Sequence, residues 1–175
     1  GNSLVVRNDT IHIVGTICVD IGNNQFSTAA FIAGYDMMGN LQDYSQVGDT
    51  LRGYRGETLL MDSIGNKYIL GTYSGDSLNN PTHIGIFIQK RNSDDQVIWT
   101  TEYQDSSSNV DFFARKGAIL NNGNIVLVGA DNTGTWITSG VPDQDILYLV
   151  FDQSGNLISR KRIGTNQAQE EARGI

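Results

Sequence analysis

The chain has 175 residues, of which 39% are hydrophobic, with 20 glycines and only 2 prolines. This composition favours one domain of short strands joined by tight turns and excludes a helical bundle, because glycine and asparagine tolerate the positive φ that hairpins need. A net charge of −7 argues against a nucleic-acid surface, which needs clustered Lys and Arg. The single cysteine excludes an internal disulfide, and no apolar run reaches the roughly 18 residues of a membrane span.

Apolar stretches separated by turn residues predict about four strands in each third of the chain. In the first third the strand-like segments lie within residues 3–15, 27–36 and 40–46. In the middle third they lie at 57–62, 67–73, 83–91 and 96–103, and in the last third at 116–121, 124–130, 145–152 and 156–163. No segment of useful length has the 3.6-residue period of an amphipathic helix, so the sequence predicts an all-β fold.

Two independent sets of residues show that the chain is an internal repeat. An apolar strand ends in glycine at Gly15, Gly71 and Gly129, which are 56 and 58 residues apart. The turn sequences "YDMMGNL" and "FDQSGNL" match each other, and "KRNSDDQVIW" occupies the corresponding place in the middle unit without the Asp or the Gly-Asn pair. This difference leaves the geometry of the middle turn open. Units of about 57 residues with four antiparallel strands have the size of β-propeller blades.

The side-chain pattern within a unit agrees with blades stacked face to face. Residues 145–152, "DILYLVFD", are almost continuously apolar, as expected of a strand covered on both faces. The last strand carries Arg160, Lys161 and Arg162, which we interpret as charges that protect an outermost strand against edge-to-edge pairing. A patch for an anionic ligand is the alternative interpretation of this basic cluster.

The turn pattern "D-x-x-G-N-L", followed about 20 residues later by a second "G-N" hairpin, resembles the β-propeller repeats of secreted and surface-anchored bacterial proteins of the Bacteroidetes type. The resemblance covers nearly the whole chain, but its motifs are turn sequences and therefore specify architecture more than function. It implies an extracellular, cell-surface or periplasmic location. The chain shows no signal-peptide pattern, and the loss of a signal peptide or lipoprotein anchor stays an open alternative.

The sequence predicts a single propeller-type domain over residues 1–175, with units at 1–56, 57–114 and 115–170 and the start of a further blade at 171–175. Propellers close with about four to eight blades, so three blades leave an incomplete ring. Another copy of the chain, a different chain or additional sequence would complete it. Self-association or a second chain is therefore an expected partner.

No spacing of His, Cys and carboxylates predicts a metal site, and no cofactor is predicted. Cys18 and His12 lie in an apolar strand-like run, where we expect a buried thiol and a hydrogen-bonded imidazole. The longer polar connections are the expected ligand contacts, since propellers bind ligands through loops at one mouth of the ring. The candidate ligand-binding residues are Trp136, Asp143, Asp145, Asp76 and Asp111.

Three functions follow from these features. The first is a non-catalytic binding or scaffold module that recognises protein or glycan through its loops, with Trp136 offering a face for a sugar ring. The second is part of a propeller enzyme that acts on glycosides or polysaccharides, which would need a pair of carboxylates. The third is a purely structural repeat of a larger surface protein. The absence of any catalytic motif in the sequence favours the first.

Overall fold

A computed structural model of the chain describes residues 1–22, 25–48, 52–74, 84–104, 110–136, 142–165, 170, 172 and 174–175; for residues 25, 133–136, 142 and 143 it describes the backbone alone. These residues form twelve β-strands and no helix. The strands are β1 (Ser3–Arg7), β2 (Thr10–Gly22), β3 (Gln25–Asp36), β4 (Leu41–Val47), β5 (Tyr54–Met61), β6 (Lys67–Ser74), β7 (Ile84–Arg91), β8 (Val97–Tyr103), β9 (Asp111–Ile119), β10 (Ile125–Trp136), β11 (Pro142–Phe151) and β12 (Leu157–Ile163).

Consecutive strands pair in antiparallel fashion into three four-stranded sheets, which confirms the predicted all-β fold. Sheet 1 contains β1 to β4, sheet 2 contains β5 to β8, and sheet 3 contains β9 to β12, each in sequence order. The second sheet begins at Tyr54 and the third at Asp111, a few residues before the starts of the second and third units predicted from the sequence. No strand is assigned to the described residues between 171 and 175.

Sheet 2 lies between the other two sheets. Its first strand, β5, contacts β1, β2 and β3 of sheet 1, and β9 contacts β5, β6 and β7 of sheet 2 in the same way. The repeated glycines lie where the sheet needs a close approach: a Cβ on Gly15 or Gly71 would lie 2.8 or 2.6 Å from the ring of Phe31 or Phe87 on the paired strand. The period read from the sequence is therefore also a period of packing.

Five hairpins share one five-residue turn, at residues 36–40, 62–66, 92–96, 120–124 and 152–156. In each turn the N–H of the first residue donates to the C=O of the fifth, and the N–H of the fourth donates to the C=O of the first. The fourth residue has positive φ, which favours glycine. The middle unit keeps this geometry although its sequence differs, because Asp95 adopts a φ of 63° there.

An acidic or amide side chain at the first position holds four of these turns together. In the turn at 36–40, Asp36 accepts hydrogen bonds from the N–H groups of Met38 (2.9 Å) and Asn40 (2.8 Å) and from the Asn40 amide (2.8 Å). Hydrogen bonds from Asn40 accordingly lower the pKa of Asp36. Asn92 accepts the two corresponding backbone hydrogen bonds in the middle unit, so it replaces the carboxylate without loss of the turn.

The interface between sheets 1 and 2 buries a charged side chain, Arg91, in addition to apolar groups. Sheets 2 and 3 meet through apolar side chains, namely Tyr68, Leu70, Ile86 and Ile88 against Phe112, Ile125, Leu127, Leu147, Leu149 and Phe151. Sheets 1 and 2 share an apolar centre that includes Ile32 and Phe87, but they also bury polar groups. The guanidinium of Arg91 in sheet 2 is buried and donates to the Ser45 hydroxyl and the Gln46 carbonyl of sheet 1.

The outer faces of the stack differ from the inner ones. On the face of sheet 1 that points away from sheet 2, Leu4, Val6 and Tyr44 are exposed, and the Tyr44 ring stacks on Phe31 at 6.0 Å between centroids. On the outer face of sheet 3, Ala172 packs against a valine cluster. The prediction that residues 145–152 are covered on both faces holds only in part, since Ile146 and Tyr148 are half-buried.

The prediction of a buried thiol at Cys18 is wrong, because this side chain is exposed. The register explains why. β1 pairs with β2 only as far as Val14, and β4 pairs with β3 only as far as Ala30, whereas the β2–β3 hairpin continues to Gly22. Cys18 therefore lies in a two-stranded extension that the other strands of the sheet do not flank.

Candidate functional site

The connections between strands separate into two kinds at opposite ends of the sheets. The five-residue turns and the short turn at 8–9 lie at one end, here called the turn end. The strand ends at which the chain leaves one sheet for the next lie at the opposite end, here called the loop end. The loop-end residues predicted to bind ligand are Trp136, Asp143, Asp145 and Asp111; Asp76 lies outside the described residues.

Among these predicted residues, Asp145 has a side chain that is buried and forms an ion pair. It is 5% exposed and pairs across the sheet with Asp131, which is 0% exposed. The Arg162 guanidinium forms ion pairs with both carboxylates. The guanidinium of Arg160 lies over the ring of Phe112 at 5.1 Å from its centroid. Both arginines lie on the edge strand β12, as predicted, and their side chains stay 33% and 38% exposed while they contact these buried groups.

The other predicted residues are placed less fully. Asp111 begins β9, and its Oδ1 accepts a hydrogen bond of 2.9 Å from the Ile84 N–H at the start of β7, so it ties sheet 3 to sheet 2. Trp136 of β10 pairs with Pro142 of β11, and Asp143 follows Pro142 in that strand. Their side chains lie outside the described part of the chain.

Two charged residues that the sequence analysis did not select occupy matching β-bulges. Glu57 is the extra residue where Gly56 and Thr58 pair with consecutive residues of β6. Arg115 is the extra residue at the corresponding place in β9. Both strands are at the edge of their sheet. A bulge turns its extra side chain out of the ladder, so each strand presents a charged group at this edge.

These residues form a cavity of about 160 Å³, here called the inner-edge pocket. Its lining comes from all three sheets: Thr28, Gly53, Arg55, Glu57, Thr72, Ser74, Ile84, Phe113 and Arg115. The lining is fixed by hydrogen bonds, because the Ala114 N–H donates to the Thr72 hydroxyl (3.1 Å) and the Gly53 N–H donates to Ser74 (2.9 Å). Gly53 is required for the shape, since a Cβ there would lie 2.8 Å from the Thr28 hydroxyl.

Burial and neighbouring charges act in opposite directions on the pKa of Glu57 in the inner-edge pocket. Burial raises the pKa of Glu57, and the positive charges of Arg115, Arg55 and Lys116 act in the opposite direction without reversing it. A half-buried carboxyl of raised pKa beside guanidinium groups is the kind of perturbed group that marks functional sites. Guanidinium groups bind carboxylate, phosphate or sulfate through paired hydrogen bonds, while a protonated Glu57 can donate one.

The pocket suits binding better than glycoside hydrolysis. Glycosidases place two carboxyl groups about 5–10 Å apart, whereas Glu57 is the only carboxyl group in the described lining. No group of three or more His, Cys, Asp or Glu residues in the described chain could hold a metal ion. The described residues also contain no helix that is long and apolar enough to cross a membrane.

Comparison of the sequence with protein-family models and with curated proteins gives no match. The functional argument therefore depends on the residues of this chain.

Proposed function

We propose that the protein is a non-catalytic binding module built from β-propeller blades, and that its inner-edge pocket receives an acidic group of a protein or glycan ligand. The observation that carries this proposal is the convergence of Arg55 and Arg115 on a small pocket together with Glu57, whose pKa is raised by burial. An extracellular or bacterial cell-surface location belongs to the same proposal and is supported by the repeat resemblance alone.

The propeller arrangement is supported by the way the sheets stack. Each sheet follows the last along the chain, and the first strand of each later sheet contacts three strands of the sheet before it. The last strand of sheet 2 also meets a turn of sheet 3: the Trp99 indole N–H and the Thr101 hydroxyl of β8 donate to the carbonyls of Gln153 and Gly155. Repetition of the same contact is what radial packing of blades requires.

The open face of sheet 1 supports a further blade or copy on that side. Its exposed residues Leu4, Val6 and Tyr44 form an apolar surface of the kind that soluble proteins normally cover. Light scattering after size exclusion, over a concentration series, tests completion of the ring by self-association. A stable species near twice 19.1 kDa supports it. A monomer at every concentration contradicts self-association and leaves a different chain or additional sequence to complete the ring.

The ligand proposal is tested by NMR titration of ¹⁵N-labelled protein with glucuronate, and with glucose as the neutral comparator. We expect glucuronate to shift the amides of Thr72 and Arg115 and glucose to leave them unchanged. Arg55→Gln and Arg115→Gln should each weaken binding about tenfold or more, because each removes a charge-assisted hydrogen bond. Lys161→Gln, which removes an exposed positive charge from the outer strand, is the matched control.

Two results would contradict binding of an acidic group at this pocket. One is an equal response of these amides to glucose and glucuronate. The other is a response to glucuronate that both arginine variants retain at full strength, since the charge would then be recognised elsewhere.

A further inference from the structure

A second cavity lies at the turn end, on the opposite side of the protein from the inner-edge pocket. It occupies the space between sheets 1 and 2, has a volume of about 570 Å³, and is here called the turn-end cleft. One wall contains His12 of β2 and Asp43 of β4, and the other contains Lys67 of β6 with the turn residues Asp94 and Asp95. This volume falls in the range of small-molecule sites, about 300–1,000 Å³.

The first wall is built around a glycine. His12 pairs with Gly34 in the register of β2 and β3, and Gly34 pairs with Asp43 in the register of β3 and β4. The three residues therefore form a row across the sheet. A Cβ on Gly34 would lie 2.6 Å from Asp43 Oδ2, so only glycine leaves room for the carboxylate to lie over β3. The glycine allows Asp43 to approach the side of the cleft where His12 lies.

Each polar side chain of this row has one buried atom without a partner among the described residues. His12 is 9% exposed, and its Nδ1 has no hydrogen-bond partner among the described residues. The same holds for Asp43 Oδ1. A buried polar atom without a partner costs about 1–3 kcal/mol, so two such atoms in one row of the cleft wall require an explanation. The hydrogen bond expected at the His12 imidazole is therefore not formed at Nδ1 within the described part of the chain.

The positive charges of the cleft are already engaged. Lys67 Nζ forms an ion pair of 2.9 Å with Asp95. The Arg7 guanidinium donates to the carbonyls of Asp62 and Ser63. Burial, followed by the charge of Lys67, lowers the pKa of His12, so the imidazole is neutral near pH 7. The lining holds three carboxylates, Asp43, Asp94 and Asp95, against the two cations Arg7 and Lys67, so its charge disfavours an anionic ligand.

We propose that the turn-end cleft binds a neutral polyhydroxylated molecule, specifically a saccharide of one or two rings. Sugar hydroxyls can donate to the Asp43 carboxylate and can exchange hydrogen bonds with the His12 imidazole, while Lys67 has N–H donors beyond the one used by Asp95. Met61 and Ile64 add an apolar surface to the cleft for the C–H face of a sugar ring, and Ile64 is 77% exposed. This site is separate from the inner-edge pocket and does not depend on the function proposed for it.

The test is an NMR titration of the ¹⁵N-labelled chain with three neutral disaccharides, namely maltose, cellobiose and lactose. Glucuronate and glucosamine serve as the anionic and cationic comparators. We expect at least one neutral disaccharide to shift the amides of Gly34, Asp43 and Lys67 saturably, and to leave the amides of the inner-edge pocket unchanged. Asp43→Asn should weaken this binding about tenfold or more, because a charged hydrogen-bond acceptor is lost.

Asp20→Asn is the matched control, because it removes the same charge from an exposed side chain at the loop end. Its dissociation constant should equal that of the unmodified protein. The proposal is overturned if no neutral disaccharide shifts the cleft amides at 50 mM, or if only glucuronate or glucosamine does. Because these readouts come from the unmodified protein, they decide the question even if Asp43→Asn fails to fold.

Discussion

The fourth position of the repeated turn gives a prediction that runs against the repeat pattern. Four of the five turns have glycine there, with φ between 81° and 95°, and the middle unit has Asp95 at a φ of 63°. Replacing Asp95 by glycine would restore the majority residue and relieve a backbone conformation that costs an L-residue about 1 kcal/mol. A prediction from the repeat alone would therefore be stabilisation.

The ion pair reverses this expectation. Lys67 and Asp95 have side chains that are 5% and 22% exposed, and their 2.9 Å contact joins β6 to the turn. Removing one member of a buried pair costs about 3–5 kcal/mol, and partial exposure of Asp95 together with the nearby Asp43 reduces this to about 2–4 kcal/mol. Subtracting the relieved strain, we expect Asp95→Gly to lower the free energy of unfolding by about 1–3 kcal/mol.

Urea denaturation of four proteins tests this reasoning: the unmodified chain, Asp95→Gly, Lys67→Met and the double variant. In the Lys67→Met background no ammonium group is left without a partner, so Asp95→Gly should there stabilise the protein by about 1 kcal/mol. Asp95→Gly is thus predicted to lower the free energy of unfolding in the unmodified protein and to raise it in the Lys67→Met background. The reasoning is refuted if Asp95→Gly stabilises the unmodified protein, or if its effect has the same sign and size in both backgrounds.

Three further predictions concern the turns and the loop end. Gly39→Ala should lower the free energy of unfolding by about 1 kcal/mol, because of its positive φ alone. Gly155→Ala should lower it by at least twice as much, because its new Cβ would also lie 2.9 Å from the indole ring of Trp99. Thermal unfolding compares the two variants. Because the pKa of Asp36 is lowered in the folded protein, its carboxylate stabilises the fold at pH values above the ordinary pKa of 3.8. This contribution is lost as the pH falls from 3.8 through the pKa of the folded state. The difference in Tm between the unmodified protein and Asp36→Asn should therefore shrink between pH 7 and pH 3. Arg162→Met should destabilise by about 2–4 kcal/mol by stripping a cation from two buried carboxylates, while exposed Lys161→Met should change stability by less than 0.5 kcal/mol.

The repeat and most strands could be predicted from the sequence because they depend on local chemistry. The Asp-x-x-Gly-Asn turns fix where strands end, and they do so through hydrogen bonds between residues two to four positions apart. The exposure of Cys18 could not be predicted in this way, because it depends on how far β1 and β4 extend along their neighbours. Strand length is set by the partner strands, and no single strand contains that information.

The candidate pocket was less accessible to sequence reasoning than the fold. Candidate residues were selected from long polar connections, yet Glu57 and Arg115 lie within strands. Their side chains leave the ladder and reach the pocket because each is the extra residue of a β-bulge. Alignment of the units offered one signal, since both charged residues follow a small residue at the same place in their unit. Conversely, the sequence selected Asp145 as a ligand contact but gave no sign of its ion pair with Arg162, which depends on the pairing of β11 with β12.

The buried polar contacts between sheets 1 and 2 have a consequence for how the chain assembles. Repeats with interchangeable faces risk docking in the wrong order while they fold, which is a common failure of repeat proteins. Here the buried Arg91 donates to Gln89 within sheet 2 and to Ser45 and Gln46 of sheet 1, so sheet 2 stacked on the wrong neighbour would lose the hydrogen bonds to Ser45 and Gln46. Because Ser45 and Gln46 lie on sheet 1, these hydrogen bonds favour sheet 1 as the neighbour on that face of sheet 2. The polar contacts between sheets 1 and 2 thus help to fix the order in which three otherwise similar sheets stack.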